Sequence, residues 1–190
     1  PHNLREVIDA SVAYIEDEHI TIEGLLKHIK GPDFPLGGIA YNQADIIQVY
    51  TTGRGPVTCR GEAEVVEMKN GSFQIVITSI PFQVNKTSLI EKIVLLHQEK
   101  KITEIKALRD ESTKEMRIVI DLKSGANPQK VLNAIYKHTE LESRYNYNML
   151  ALVDGSPQTL SLKDFIENFI NHRKEVVKRR TQFDLGKAEA

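Results

Sequence analysis

The spacing of apolar residues changes along this chain of 190 residues, and that change most constrains its fold. Up to about residue 50, apolar residues recur every three or four positions, which is typical of helices. From Val57 onward they alternate with polar residues, which is typical of a half-buried strand. Helical spacing then returns and alternates with further strand patterns. The sequence therefore predicts an α+β fold: a small mixed or antiparallel sheet of about four strands with flanking helices, leading into a long C-terminal helix.

Three short helices are predicted in the first part of the chain. Asn3 can cap the first, and its apolar stripe is expected to face the core. Thr21 can cap the second, which is predicted to end near Gly31. The third is predicted over residues 44–50 and ends at Gly53. The stripe of the first helix consists of Leu4, Val7, Ile8, Val12 and Ile15.

A hairpin is predicted after a strand that runs from Val57 to Val65. A two-residue loop, Asn70-Gly71, would place the apolar residues of the two strands on opposite faces. A three-residue loop over 69–71 pairs Val65 with Ile75 and places both apolar sets on one face. The sequence therefore predicts a type I turn with Gly71 in the left-handed conformation.

The second half of the chain predicts two helices and two strands. Ser88 and Glu91 resemble a capping box at the start of a helix that runs to about Lys100. Alternation over 116–122 predicts a strand. Asn127, followed by proline, predicts a helix that runs to about Thr139. The apolar run 149–153 predicts a central strand, and residues 154–157 predict a turn.

The last element is predicted to be a helix of at least 20 residues that starts at Ser161, with Asp164 three residues later. Arg173 and Arg180 fall inside its apolar stripe. Charges in such a stripe must extend to water, pair, or contact something other than an apolar core. The stripe consists of Leu162, Phe165, Ile166, Phe169, Val176 and Phe183.

Charge is balanced over the whole chain but uneven along it. Lys and Arg number 25 against 26 Asp and Glu, so net charge gives no argument for a nucleic acid or a membrane. Residues 1–24, however, hold six acids and one base, whereas residues 173–180 hold five bases and one acid. Local charge of this kind matters more than the sum for a polyanionic partner. A solvated helix face is the alternative interpretation of the basic segment.

Composition and motifs exclude several classes of protein. The longest apolar run has five residues, far short of the roughly 20 needed to span a membrane. The single cysteine, Cys59, excludes a disulfide scaffold, fits a reducing compartment and is predicted to be a core thiol. The glycine-rich segment 52–56 lacks the Lys-Ser/Thr of a phosphate-binding loop. Asp110 and Glu111, beside Arg109, indicate an ion-paired loop rather than an acid–base site. Neither a metal site nor a small-molecule active site is expected.

Ten short motifs, spread over almost the whole chain, carry a resemblance to a known family. They are PHNL (1–4), GPDFP (31–35), TGRG (52–55), IPFQVNK (80–86), LIEKI (89–93), LRDES (108–112), MRIVI (116–120), YKHT (136–139), NMLALVDG (148–155) and the basic run 172–181. In this order they resemble the cleavage subunit of the bacterial type IIA topoisomerases. That family comprises the A subunit of DNA gyrase, which is the nearer relative, and the A subunit of topoisomerase IV.

The resemblance implies an architecture and a role. Residues 1–160 would form the α+β tower domain and residues 161–190 the start of a long coiled-coil helix. The parent enzyme would be an ATP-dependent topoisomerase that negatively supercoils DNA by double-strand passage. This stretch would support and bend the gate segment. The nucleophilic tyrosine would lie upstream, so the stretch alone is predicted to be inactive and to contain no catalytic residue. Tyr145, although it follows an arginine as the nucleophile does, is assigned to packing.

Six cations are predicted to contact DNA phosphates, on the strength of the resemblance and of local charge. Lys174, Lys178 and Arg179 are predicted to be more available to phosphate. Arg173 and Arg180 are expected instead to pack against the tower. For Lys86 a solvated lysine near a helix cap is an equal alternative. The six candidates are Arg54, Arg60, Lys86, Lys174, Lys178 and Arg179.

Partners and cofactors follow from the resemblance as expectations. The expected partners are double-stranded DNA and the gyrase B subunit. The parent protein would be a homodimer within a heterotetramer. The stretch itself is expected to be a monomer. No metal or cofactor is expected here, because Mg²⁺ and ATP would be bound through the partner subunit. The location would be the bacterial cytoplasm, with nucleoid association. Two alternatives stay open: the A subunit of a topoisomerase IV that decatenates DNA, and a non-enzymatic cytosolic scaffold whose basic helix binds an acidic partner.

Overall fold

The computed structural model describes residues 2–189. These residues form two compact units. The first contains the residues up to 32, residues 42–57 and the residues from 146 onward, and the second contains residues 33–41 and 58–145. In chain order the elements are α1 (Leu4–Glu16), α2 (Ile22–Leu25), β1 (Ile39–Tyr41), α3 (Gln43–Thr52), β2 (Arg54–Arg60), β3 (Ala63–Glu67), β4 (Phe73–Ile77), α4 (Lys86–Gln98), β5 (Ile105–Asp110), β6 (Ile118–Leu122), α5 (Pro128–His138), β7 (Glu142–Asn148), β8 (Leu150–Val153), β9 (Ser156–Thr159) and α6 (Leu162–Glu189).

The predicted α+β fold is confirmed, with antiparallel pairing in the sheets. The main sheet has the strand order β3-β4-β6-β5, a second has the order β1-β2-β7, and β8 pairs with β9. In the second unit, β4 and β6 pack against α4 and α5 to form a continuous apolar core. Burial of this apolar surface is the main force that holds the unit together. Fully buried members of the core include Ile75, Ile77, Leu89, Ile93, Ile118, Ile120 and Ile135.

Several local predictions are confirmed in detail. Val65 pairs with Ile75, and Gly71 has a φ of 75°, as a three-residue loop requires. The Asn127 side chain caps α5, and the Asn3 side chain caps α1. At the start of α6, Ser161 Oγ accepts a hydrogen bond from the Asp164 amide, while Asp164 Oδ2 accepts one from the Ser161 amide. These features depend on residues close to one another in the sequence, so short-range chemistry determines them.

The single strand predicted from Val57 to Val65 is wrong. It divides at Gly61 into β2 and β3, which belong to different sheets. The Gly61 amide donates to the Leu141 carbonyl at 2.8 Å, and a Cβ at this position would lie 2.3 Å from the Ser79 carbonyl oxygen. The close approach of this backbone segment ends the strand, although the alternating pattern continues through it. Val65 lies on β3, an edge strand of the main sheet, and is 38% exposed.

The strand predicted over 149–153 is confirmed as β8 (Leu150–Val153), but its predicted central position is wrong. β8 pairs only with β9 in a two-stranded hairpin whose turn residues, Asp154 and Gly155, both have positive φ. That geometry is typical of a type I′ turn. Leu150 and Leu152 are 54% and 74% exposed. A short apolar run is compatible with an exposed hairpin as well as with a buried strand, and the pairing decides between them.

The helix predictions need three corrections. The stripe of α1 is exposed, with Leu4 at 73% and Ile15 at 55%, whereas Ala10 and Tyr14 are buried. Helix α2 ends at Leu25, well before the predicted end near residue 31. Helix α4 begins earlier than predicted, because Asn85 rather than Ser88 is its cap. Periodicity reports the spacing of apolar residues, but it does not report which face meets the core.

Strands β1, β5, β7 and β9 had no sequence prediction. The turn predicted over 154–157 is confirmed only at 154–155, because β9 begins at Ser156. β5 contains Lys106, Arg109 and Asp110, and β7 consists mostly of polar and aromatic residues, so neither shows clear alternation. Their pairing with β6 and within the second sheet defines them. Among residues 2–189, none of the helices combines the length and the apolar character needed to cross a bilayer.

Candidate nucleic-acid interface

The six cations predicted to contact DNA lie on three elements. Arg54 and Arg60 are the first and last residues of β2, and Lys86 is the first residue of α4. The other three, at positions 174, 178 and 179, lie close together on α6. Arg54 and the α6 cations belong to the first unit, whereas Arg60 and Lys86 belong to the second. The groups around each cation therefore decide whether its charge is compensated within the protein.

Arg54 is exposed and its guanidinium group contacts a neutral partner. Its Nε and Nη2 donate to Thr159 Oγ1 at 3.1 and 2.9 Å. The preceding Gly53 has a φ of 75°, and a Cβ there would lie 2.4 Å from the Leu160 carbonyl oxygen. Only glycine permits this close approach between the C-cap of α3 and the backbone of residue 160. The threonine fixes the direction of the Arg54 side chain, and no carboxylate among residues 2–189 forms an ion pair with it.

Arg60 is surrounded by groups that compensate its charge. Its guanidinium carbon lies 4.3 Å from the centroid of the Tyr41 ring and 4.9 Å from that of Tyr136. Its Nε donates to a carboxylate oxygen of Glu142. Contacts with two aromatic rings and one carboxylate join β1, β2, α5 and β7. This geometry indicates a structural role, and a DNA contact by Arg60 stays a prediction.

Lys86 is paired with a carboxylate at the start of α4. Its Nζ lies 2.6 Å from Asp110 Oδ2. Hydrogen bonds from Lys86 and then from Ser112 lower the pKa of Asp110 to about 2. A cation in the first turn of a helix faces the positive end of the helix dipole, and the carboxylate offsets that repulsion. The cleft beside it, of about 490 Å³, is also lined by the exposed Lys114, which no sequence pattern indicated.

The three α6 candidates differ in their partners. Lys174 Nζ lies 2.8 Å from Glu18 Oε1, and this hydrogen bond raises the pKa of Lys174 and lowers that of Glu18. Arg179 Nη2 lies 3.3 Å from Glu175 Oε1, one helical turn away. Lys178 is exposed and forms no ion pair with any residue in 2–189. Exposed ion pairs contribute only about 0–1 kcal/mol, so a phosphate could replace either carboxylate.

The expected packing of Arg173 and Arg180 against the tower is wrong, because both side chains are exposed. Helix α6 is buried only near its start, at Leu162, Ile166 and Ile170. From residue 171 onward the helix has left the core, and nearly all of its side chains are exposed. The stripe seen in the sequence continues along a part of α6 that no described element covers. Helical periodicity cannot indicate where a long helix leaves the domain.

The other residues with reactive side chains, Glu111, Tyr145 and Cys59, take part in ion pairing or packing. Glu111 accepts hydrogen bonds from Arg109 and Arg117, which confirms the ion pairing. The predicted loop is wrong at Arg109 and Asp110, which end strand β5. Tyr145 lies edge-on to Phe34, with ring centroids 5.2 Å apart, which confirms its packing role. Cys59 is buried, and burial raises the pKa of its thiol. Residues 2–189 contain no cluster of three or more His, Cys, Asp or Glu that could hold a metal ion.

The amino-acid sequence of this chain matches a known protein family. Residues 1–190 match the family described as the A subunit of DNA gyrase/topoisomerase IV. This chain belongs to that family. It is 52% identical over 190 residues to the DNA gyrase A subunit of Escherichia coli, and the match covers 99% of this chain and 22% of that protein. It is 50% identical over 191 residues to the DNA gyrase A subunit of Pseudomonas aeruginosa, covering 99% of this chain and 21% of that protein.

A third relative gives the same result. The DNA gyrase A subunit of Lawsonia intracellularis is 49% identical over 191 residues, covering 100% of this chain and 23% of that protein. The chain therefore spans about a fifth of the length of the curated relatives it matches. The resemblance seen in the short motifs is confirmed as membership of the family of DNA gyrase and topoisomerase IV A subunits.

Proposed function

We propose that this chain is the tower domain and the beginning of the coiled coil of a DNA gyrase A subunit. Residues 1–160 form the tower, and residues 161–190 begin the coiled-coil helix. The parent enzyme is an ATP-dependent type IIA topoisomerase that negatively supercoils DNA by passing one duplex through a double-strand break in another. The match of the whole chain to the family, at 49% and 52% identity to proteins named as DNA gyrase A subunits, carries this proposal.

Within that enzyme, the stretch supports the gate segment and bends it through phosphate contacts. Such contacts need exposed positive charge but no base-specific side chains. Arg54 and Lys178 lead the six candidates, because the partner of Arg54 is neutral and Lys178 forms no ion pair among residues 2–189. Lys174, Arg179 and Lys86 follow, since each would exchange a carboxylate for a phosphate. Arg60 is last, because its charge is the most fully compensated.

The remaining components of the reaction lie outside this stretch. The nucleophilic tyrosine belongs to another domain of the same polypeptide, so the stretch alone does not cleave DNA. Mg²⁺ and ATP enter through the gyrase B subunit. The parent is a homodimer of this polypeptide within a heterotetramer, located in the bacterial cytoplasm with nucleoid association, and the isolated stretch is a monomer. The A subunit of topoisomerase IV is the alternative identity, because the description of the matched family names both enzymes.

The phosphate role is tested by the salt dependence of DNA binding by the full-length subunit. The logarithm of the association constant falls linearly with the logarithm of the salt concentration, and removing one phosphate contact should reduce the magnitude of this slope by about 0.9. We expect Lys178→Gln and Arg54→Gln each to reduce the slope by up to this amount, measured by fluorescence anisotropy with a labelled duplex. Lys69→Gln, at the exposed hairpin turn of the second unit, is the matched control. An unchanged slope in both test variants would contradict the proposal.

A further inference from the structure

Asp110 is held at the start of α4 by contacts from two directions. Its Oδ2 lies 2.6 Å from Lys86 Nζ, and its Oδ1 accepts a hydrogen bond from the Ser112 amide at 3.0 Å. The lysine belongs to α4, and the amide belongs to the loop between β5 and β6. With a pKa of about 2, the Asp110 side chain is fully charged at neutral pH. A carboxylate therefore lies where an anion bound by Lys86 would also have to lie.

The other charged groups beside Asp110 are paired with one another. Glu111 accepts hydrogen bonds from Arg109 and Arg117, one on each of its carboxylate oxygens. Among residues 2–189, Asp110 forms an ion pair with Lys86 alone. The charge of Asp110 is therefore directed at Lys86 rather than at the two arginines of the same hairpin.

Asp110 differs from the carboxylates that pair with the candidate cations of α6. The side chains of Glu18 and Glu175 are 59% and 62% exposed, and that of Asp110 is 36% exposed. Within residues 2–189, Glu18 and Glu175 each form a side-chain ion pair only with their own cation, so they can turn to solvent when a phosphate replaces them. The Ser112 amide holds Asp110 in place instead. Its charge stays near Lys86 and repels the incoming phosphate.

We infer that Asp110 is an internal competitor of DNA at Lys86: its carboxylate occupies the lysine in the free protein, and a backbone phosphate has to displace it. The inference rests on the proposed function, because it requires the phosphate role of Lys86, and it adds the residue that limits this role. A carboxylate and a phosphate offer a lysine the same kind of charge-assisted hydrogen bond. The exchange therefore gains little, and Lys86 contributes less to DNA affinity than an unpaired cation would.

A purely structural ion pair is the alternative role of Asp110. Such a pair would join α4 to the hairpin of β5 and β6, and removal of its charge would leave DNA binding unchanged or weaken it. A competitor predicts the opposite sign, namely tighter DNA binding when the carboxylate is removed. Loss of native structure does not produce tighter binding, so the sign of the change separates the two roles.

The test measures binding of a labelled duplex by the full-length subunit, in fluorescence anisotropy, for Asp110→Asn. Asparagine has the same size and can still accept the hydrogen bond from the Ser112 amide, but it carries no charge. We expect Asp110→Asn to bind the duplex about two- to fivefold more tightly than the wild type. Lys86→Gln should reduce the magnitude of the salt slope by up to about 0.9. In the double variant K86Q/D110N the gain from the asparagine should be absent.

Glu115→Gln is the matched control for the change in charge. Glu115 is an exposed carboxylate of the same loop, it lines the same cleft as Lys86, and it forms no ion pair among residues 2–189. Its removal changes the net charge by the same amount, so it reports the general effect of one fewer negative charge near the DNA. We expect a smaller effect than that of Asp110→Asn, and the same effect with and without Lys86→Gln.

Four outcomes would overturn the inference. They are unchanged or weaker binding by Asp110→Asn, tightening no larger than that of Glu115→Gln, tightening that persists in K86Q/D110N, and an unchanged salt slope for Lys86→Gln. If Lys86→Gln reduces the slope but Asp110→Asn does not tighten binding, the competitor role fails and the phosphate role of Lys86 stands. Failure of the proposed function is detected separately, by unchanged slopes for Lys178→Gln and Arg54→Gln.

Discussion

Individual cations of this chain differ in role because their neighbours differ. Arg54 and Arg60 begin and end the same strand, yet one contacts a threonine hydroxyl and the other contacts two tyrosine rings and a carboxylate. Residue type and position in the sequence suggested one role for both. The surroundings separate an arginine that can bind a phosphate from one that stabilises the domain.

Replacing Arg60 tests this distinction. We expect Arg60→Met to lower the free energy of unfolding by about 1–2 kcal/mol, because two cation–π contacts and an ion pair with side chains 34% and 31% exposed are lost. Chemical denaturation measures the change. Arg144→Met, at an exposed position of β7, is the control and should change stability by less than about 0.5 kcal/mol. Weaker DNA binding by Arg60→Met with unchanged stability would show that Arg60 contacts phosphate instead.

At the scale of the elements, backbone approach decides where β2 ends and β3 begins. The alternating pattern crosses Gly61 without interruption, but the backbone at Ser79 and the side chain of Leu141 leave no space for a Cβ. The chain therefore leaves one sheet and enters another at this glycine. A pattern of apolar and polar residues contains no information about such a contact, because the contacting residues are distant in the sequence.

Alanine substitutions at two glycines should have opposite effects. We expect Gly61→Ala to lower the free energy of unfolding by about 1–3 kcal/mol, since its Cβ would lie 2.3 Å from the Ser79 carbonyl oxygen. Gly186→Ala should raise it by up to about 1 kcal/mol, because Gly186 lies within α6 with no heavy atom within 4 Å of the added Cβ. Thermal denaturation of both variants measures the effects. Equal stability of the Gly61 variant and the wild type would contradict the close approach.

At the scale of the whole molecule, a near-zero net charge conceals an asymmetric distribution. The acidic first part and the basic segment of α6 belong to the same compact unit, where Lys174 and Glu18 form an ion pair. Part of the asymmetry is therefore compensated internally. Other cations of α6, among them Arg173, Lys178 and Arg180, stay exposed to solvent.

The identity of the parent enzyme is a prediction at this scale. We expect the full-length subunit, reconstituted with its ATPase partner, to introduce negative supercoils into relaxed plasmid when ATP is present. Gel electrophoresis of the topoisomers measures this activity. The chain spans about a fifth of its relatives, so the distinction from topoisomerase IV depends on the rest of the polypeptide. Decatenation without supercoiling would identify the A subunit of topoisomerase IV instead.

The sequence by itself determined several local features and the family. Caps at Asn3 and Asn127 and the register that joins Val65 to Ile75 follow from hydrogen bonds and steric limits within a few residues. The family follows from short motifs in a fixed order, which the match over the whole chain confirms.

Only the tertiary structure decided which apolar faces are buried and which charges are compensated. The exposed stripe of α1, the end of β2 at Gly61 and the exposure of Arg173 and Arg180 all depend on residues far away in the sequence. The same holds for the ion pair between Lys86 and Asp110. Periodicity and composition are properties of neighbouring residues, whereas burial and pairing arise from contacts that form only when the chain folds.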